Sequence, residues 1–174
     1  ADAALLANLE RNVNFFASTT MIIIAAILTA LSSNIDWVVL EVGVEAGLNK
    51  YKLLLLLAIM IYAFFTFTWS LRQFGFGSVL LGAAPIPDQK EFNATQRKQY
   101  AYSTGMVLDH AGHSFNYGLR AYYFSMAVLA WFVHPVLFIL STSVVLAVLY
   151  RREFHSKSLK HMVMDETILN SNNG

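Results

Sequence analysis

The chain has 174 residues, 56% of them hydrophobic and 13% charged, and its mean hydropathy is +0.50. A soluble domain carries about 25% charge, and a chain this short buries only roughly 70% of its surface on folding, so the apolar surplus must face lipid rather than water. The net charge of +1, with no cluster of basic residues and interleaved aromatics such as a groove for bases needs, argues against nucleic acid as a partner. The absence of cysteine excludes disulfides, thiolate nucleophiles and iron-sulfur ligation, and leaves His, Asp and Glu as metal ligands.

The opening ADAALLANLERNV lacks the ordered basic, apolar and small-residue parts of a signal peptide. It reads as the middle of a helix, which predicts that an N-terminal span is missing before Ala1. From Asn12 to Ile35 there is no charge, and FFASTTMIIIAAILTALSS is long enough to cross a hydrocarbon core of about 30 Å. This is the first span, about residues 13–34. Its Ala17, Ser18, Thr19, Thr20, Ala25 and Ala26 are the small and hydroxylated residues by which membrane helices approach one another.

The following loop contains Asp36, Glu41, Glu45, Lys50 and Lys52, and VVLEVGVEAGL within it is predicted to form an amphipathic turn or two at the surface. The second span, about residues 53–71, is the uncharged LLLLLAIMIYAFFTFTWSL, ended by Trp69 and Arg72 as at a headgroup boundary. FGFGSVLLGAAPIP then reads as a loop or surface segment because of its glycines and prolines. Asn93-Ala94-Thr95 matches a glycosylation acceptor, a chance match on a loop read as cytoplasmic. The stretch onward to Arg120 reads as a helix entering the membrane, and residues 72–118 as a whole are assigned to a cytoplasmic loop.

Ala121 to Tyr150 carries no formal charge over 30 residues, about 45 Å as one helix and too long for one straight span. His134-Pro135 interrupts it, since proline removes a backbone donor and pushes the preceding residue out of helical geometry. The region is therefore read as a hairpin with arms at about 119–133 and 135–150, against the alternative of one long kinked helix. Lys and Arg accumulate on the cytoplasmic side of a membrane. A hairpin distributes the twelve Lys and Arg as ten on one side and two on the other, whereas a single crossing divides them equally. The hairpin puts the loop and the tail, 151–174, on the cytoplasmic side, in a bacterial inner (plasma) membrane. Together these readings give one all-α, polytopic, helical integral membrane domain over residues 1–174. It has two full spans and a third apolar region broken at His134-Pro135.

The residues most suggestive of chemistry lie in DHAGHSFNYGLR. Asp109, His113, Asn116 and Arg120 fall at i, i+4, i+7 and i+11, one polar stripe on a helix that ends at the membrane. Arg120, followed by the uncharged run, needs a carboxylate, carbonyl or water. Glu10 is the leading candidate for its ion-pair partner, with Asp88, Glu91 and Glu153 behind it. An Asp109–His113 hydrogen bond would orient the imidazole, and His110 with His113, three residues apart, could supply half of a metal site. The stripe is read first as an inter-helix polar network, then as a water-lined or ion-conducting path, and last as a metal or haem site. His134 reads as a hydrogen-bonded helix-end residue. No motif supports enzymatic activity, and membrane lipid is the expected bound component.

The strings NVNFFASTTMII, FFTFTWSLRQF, HSFNYGLRAYYFSMAVLAWF and VLYRREFHS resemble a bacterial and plant membrane-protein family, "domain of unknown function" 599, from about Asp2 to Ser156. The resemblance implies an integral membrane protein normally preceded by another apolar span and a basic segment. It carries no activity to any residue. Three functions follow as expectations: a homo-oligomer with a pore or transport path along the Asp109/His113/Asn116/Arg120 stripe, an accessory or scaffold subunit of a larger membrane complex, and a redox subunit using His110, His113 or His134.

Overall fold

The computed structural model describes residues 2–33, 48–85 and 92–154, and the amphipathic turns expected between the first two helices lie outside these. Among the described residues there are four helices and no strand: α1 Asp2–Ser32, α2 Leu48–Gly82, α3 Ala94–Val133 and α4 Pro135–Phe154. Three of them, α1, α2 and α4, contain stretches long and apolar enough to cross a membrane. Each helix packs against the next in sequence.

The seams run antiparallel. Glu10 and Leu6 of α1 lie beside Ser78 and Leu81 of α2, whereas Ile27 shares a core cluster with Leu53 and Leu56. Between α2 and α3, Tyr100 Oη donates to Leu80 O at 2.7 Å and Ser70 Oγ to Ala111 O at 2.7 Å, and Lys52 Nζ approaches Trp131 O at 3.5 Å. Burying these hydroxyls against carbonyls satisfies groups that lipid could not. Lys52 is buried and meets the last turn of α3, where carbonyls and the helix dipole favour a cation.

The centre of the fold is aromatic. Phe67 is fully buried and contacts Phe16, Phe115 and Tyr122 at ring separations of 5.5, 5.7 and 5.6 Å. Gly118 makes this possible: a Cβ there would collide with the Phe67 ring. Thr20 Oγ1 donates to Phe16 O at 2.6 Å and so accepts from Tyr122 Oη at 2.8 Å, joining α1 to α3 beside the rings. Ala17 is buried in the same cluster, so part of the small-residue face of α1 is used inside the chain.

Two sequence expectations are resolved by packing. The segment beginning FGFGSVLLG is helix rather than loop, because α2 continues to Gly82. Glycine costs roughly 1 kcal/mol in a helix interior, but Phe74 is buried and Leu81 packs on the same core cluster. Here tertiary contact outweighs propensity. The loop assigned to 72–118 is therefore mostly the continuation of α2 and the first turns of α3. Asn93, in the apparent glycosylation acceptor, is the α3 N-cap: its Oδ1 accepts from Gln96 N at 2.8 Å and Gln96 Oε1 accepts from Asn93 N at 3.0 Å, a reciprocal cap.

The apolar region 121–150 does break at His134-Pro135. His134 is extended at φ −163° and ψ 138°, as a residue before proline prefers. Its imidazole Nδ1 accepts from Val136 N at 3.2 Å, which satisfies one of the orphan donors at the start of α4. Trp131 and Phe138 stack across the corner at 5.0 Å, and Arg152 Nη2 reaches Asn116 Oδ1 at 2.8 Å. The α4 helix thus folds back along α3 as a hairpin.

Gly118→Ala is expected to destabilise the protein by about 1–3 kcal/mol through overpacking against Phe67. Gly112→Ala, where a Cβ meets nothing within 4 Å, should stabilise by roughly 0.5–1 kcal/mol. Thermal unfolding of both variants in detergent checks the contrast.

Candidate functional site

Helical spacing puts Asp109, His113, Asn116 and Arg120 on one side of α3, as expected from the sequence, but the four do not act as one cluster. Asp109 Oδ2 lies 3.6 Å from His113 Nε2, with side chains 69% and 67% exposed. That separation is longer than a hydrogen bond, and an exposed pair of this kind contributes little. The expected orienting hydrogen bond is thus only a loose polar contact. Asn116 is used differently, as the acceptor that holds Arg152 of α4.

Arg120 is half-buried, and its guanidinium carbon lies 5.4 Å from the centroid of the Tyr117 ring. It borders a cavity of about 620 Å³ between α2, α3 and α4, with Leu55, Ile59, Phe124, Val128 and Phe138 among its walls. Tyr62 of α2 and Thr142 of α4 complete the surroundings. The Thr142 hydroxyl oxygen is buried without a hydrogen-bond partner.

Glu10 lies elsewhere, on the α1–α2 seam in a cavity of about 180 Å³ with Ala3, Leu6, Ala7, Ser78, Leu81 and Gly82. Its Oε1 is buried and has no hydrogen-bond partner. The structure does not bring Glu10 and Arg120 together: Glu10 borders a cavity on the α1–α2 seam, and Arg120 borders another between α2, α3 and α4. Asp88 and Glu91, and the side chain of Glu153, lie outside the described residues.

His110 and His113 do not converge with further ligands. His110 Nδ1 donates to Met106 O at 2.7 Å, and among the described residues no three His, Asp or Glu side chains gather as a metal site would need. His134 caps the C-terminal end of α3, twenty-one residues or about 32 Å from His113 near the middle of the helix. The sequence reading missed the cavity that Arg120 borders, since Tyr62, Phe138 and Thr142 stand inside apolar runs and come to line it only through the antiparallel packing. The signal for Asn116 was present as spacing, and its use as a helix tie was not.

Residues 1–158 match the family model described as "Protein of unknown function, DUF599", and the chain belongs to that family. No curated protein and no solved structure matches it. The roles of Glu10 and Arg120 therefore rest on geometry, which predicts that they act independently. The stability effects of Arg120→Leu and Glu10→Gln, measured by thermal unfolding in detergent, should add within about 0.5 kcal/mol in the double variant. A coupling near 3 kcal/mol, the size expected on breaking a buried pair, would restore the ion pair.

Proposed function

We propose that this member of the DUF599 family is a helical membrane subunit that works by association, as an accessory or scaffold component of a larger membrane assembly. The observation that carries this reading is the wall of the cavity beside the stripe. Leu55, Ile59, Phe124, Val128 and Phe138 offer mostly hydrocarbon to whatever enters, with Arg120 the one charged residue on the wall. An ion path would need polar walls. Asn116 is engaged in tying α4 to α3, the use a docking residue has.

The same reading puts the chain in a bacterial plasma membrane with the α2–α3 connection and the C-terminal tail cytoplasmic. Its support is the grouping of cations. The antiparallel packing gathers Arg97 and Lys98 of α3 with Arg151 and Arg152 of α4 toward one end, and Lys50 and Lys52 of α2 lie toward the other.

A second reading, a homo-oligomer with a pore along Asp109, His113, Asn116 and Arg120, is favoured by the outward exposure of Asp109 and His113, which leaves them available to another copy. Purified protein in liposomes separates the two. A scaffold gives no ion flux above protein-free liposomes, and sizing with mass determination in several mild detergents should show more than a monomer. Flux that falls in Asp109→Asn would establish the pore, and a monomer in every detergent, with no flux, would count against both.

A further inference from the structure

We propose that the groove between α2 and α3 beside Arg72 binds the headgroup of an anionic phospholipid, with the phosphate on Arg72 and an acyl chain running inward along the outer face of α2. Depth comes first. The nineteen residues 53–71 between Lys52 and Arg72 carry no charge, and they make about 28 Å of helix, which matches a hydrocarbon core of about 30 Å. On α1 the last charge before the uncharged run is Arg11. The seam that sets Glu10 and Leu6 beside Ser78 and Leu81 brings Arg11 to within about one turn of the level of Arg72. Two helices therefore mark the same boundary. The Ser70–Ala111 hydrogen bond sets His110 of α3 at that level as well.

The groove has a volume of about 300 Å³, with Arg72, Gln73 and His110 as its polar groups and Trp69, Phe76 and Val107 among its apolar walls. Arg72 is exposed, and its guanidinium carbon lies 5.5 Å from the centroid of Phe76, one turn further from the membrane centre. The side chain thus reaches outward, as a cation snorkelling to the phosphates does. Among the described residues no carboxylate pairs with it, so its fork of donors is open to phosphate oxygens. His110 Nδ1 is committed to Met106 O, which leaves Nε2 for a ligand, and the imidazolium form donates from there. Gln73, whose amide meets Ser114 Oγ at 3.3 Å, adds a third polar group. Basic pockets between membrane helices bind anionic headgroups in this way.

The orientation is that of a lipid in its leaflet. Inward from Arg72, the side chains of Trp69, Phe65 and Tyr62 recur every three or four residues on one face of α2 and are 55%, 65% and 54% exposed. From Arg72 to Tyr62 this apolar track is about 15 Å long, half of the core and the depth of one leaflet. Trp69, first on the track, is the residue type that gathers at the headgroup boundary. A soluble anion would use the cation and have no use for the track.

Native mass spectrometry of the delipidated full chain, given equal amounts of phosphatidylglycerol and phosphatidylcholine, tests the proposal. The wild type should retain phosphatidylglycerol in about tenfold preference, the size of one charge-assisted contact, since choline would put a second cation beside Arg72. Arg72→Gln should lose that preference. Arg11→Gln, which removes an exposed charge near the same depth on another helix, should keep it. Val107→Trp, which fills the groove from its α3 wall and leaves Arg72 in place, should lose the bound phosphatidylglycerol. Excess inorganic phosphate, having the headgroup chemistry without a chain, should not displace the lipid. Equal retention of the two lipids by the wild type overturns the proposal, as does an unchanged preference in Arg72→Gln, undiminished binding in Val107→Trp or displacement by phosphate. A preference lost as fully in Arg11→Gln as in Arg72→Gln also overturns it, because a diffuse field of boundary charges would then be the cause. If Arg72→Gln does not fold, the wild-type preference, Arg11→Gln and Val107→Trp decide.

Discussion

The absence of a side chain at Gly118 is the constraint on which the packing depends. It lets the ring of Phe67 lie against the backbone of α3, and that approach sets the register of α2 and α3. Phe67 in turn collects Phe16, Phe115 and Tyr122, so α1 is positioned by the same ring. In a lipid solvent helices gain nothing from hiding leucine from leucine, and close van der Waals contact with inter-helix hydrogen bonds must supply the attraction. The aromatic centre supplies both, the second through Thr20 and Tyr122.

Polar groups within the apolar segments follow one rule, which is that their protons go to protein. Thr19, Thr29, Thr66, Thr68 and Ser143 bond to carbonyls three or four residues earlier, which makes them nearly neutral in lipid. Thr20 and Ser70 go further and reach another helix. Thr142 departs from the rule, and it borders the cavity that also holds Arg120. Thr104 Oγ1 of α3 and Glu10 Oε1 of α1 are likewise buried without a hydrogen-bond partner, so the rule has exceptions on three of the helices.

The hairpin at His134 turns a linear run of helices into a site. Had α3 continued straight, Arg120 would have met lipid on its open side and Asn116 would have had no arginine to hold. The fold-back brings Phe138 and Thr142 onto the cavity that Arg120 borders and closes its third wall.

The amino-acid sequence alone determined that the protein is a helical membrane protein, where the third apolar region breaks, and which side of α3 is polar. Each of these depends on local composition or spacing: uncharged runs, a proline's missing donor, and residues repeating at helical intervals. It misplaced the end of α2, since the glycines at 75, 77 and 82 signal a loop when propensity is read by itself, and only packing of Phe74 and Leu81 overrides them. The neighbours of Arg120 and Glu10 were likewise beyond local reading. Which seam each side chain enters is decided by the order in which helices pack, and that order rests on contacts such as Gly118 with Phe67, fifty-one residues apart in sequence and adjacent only in the folded chain.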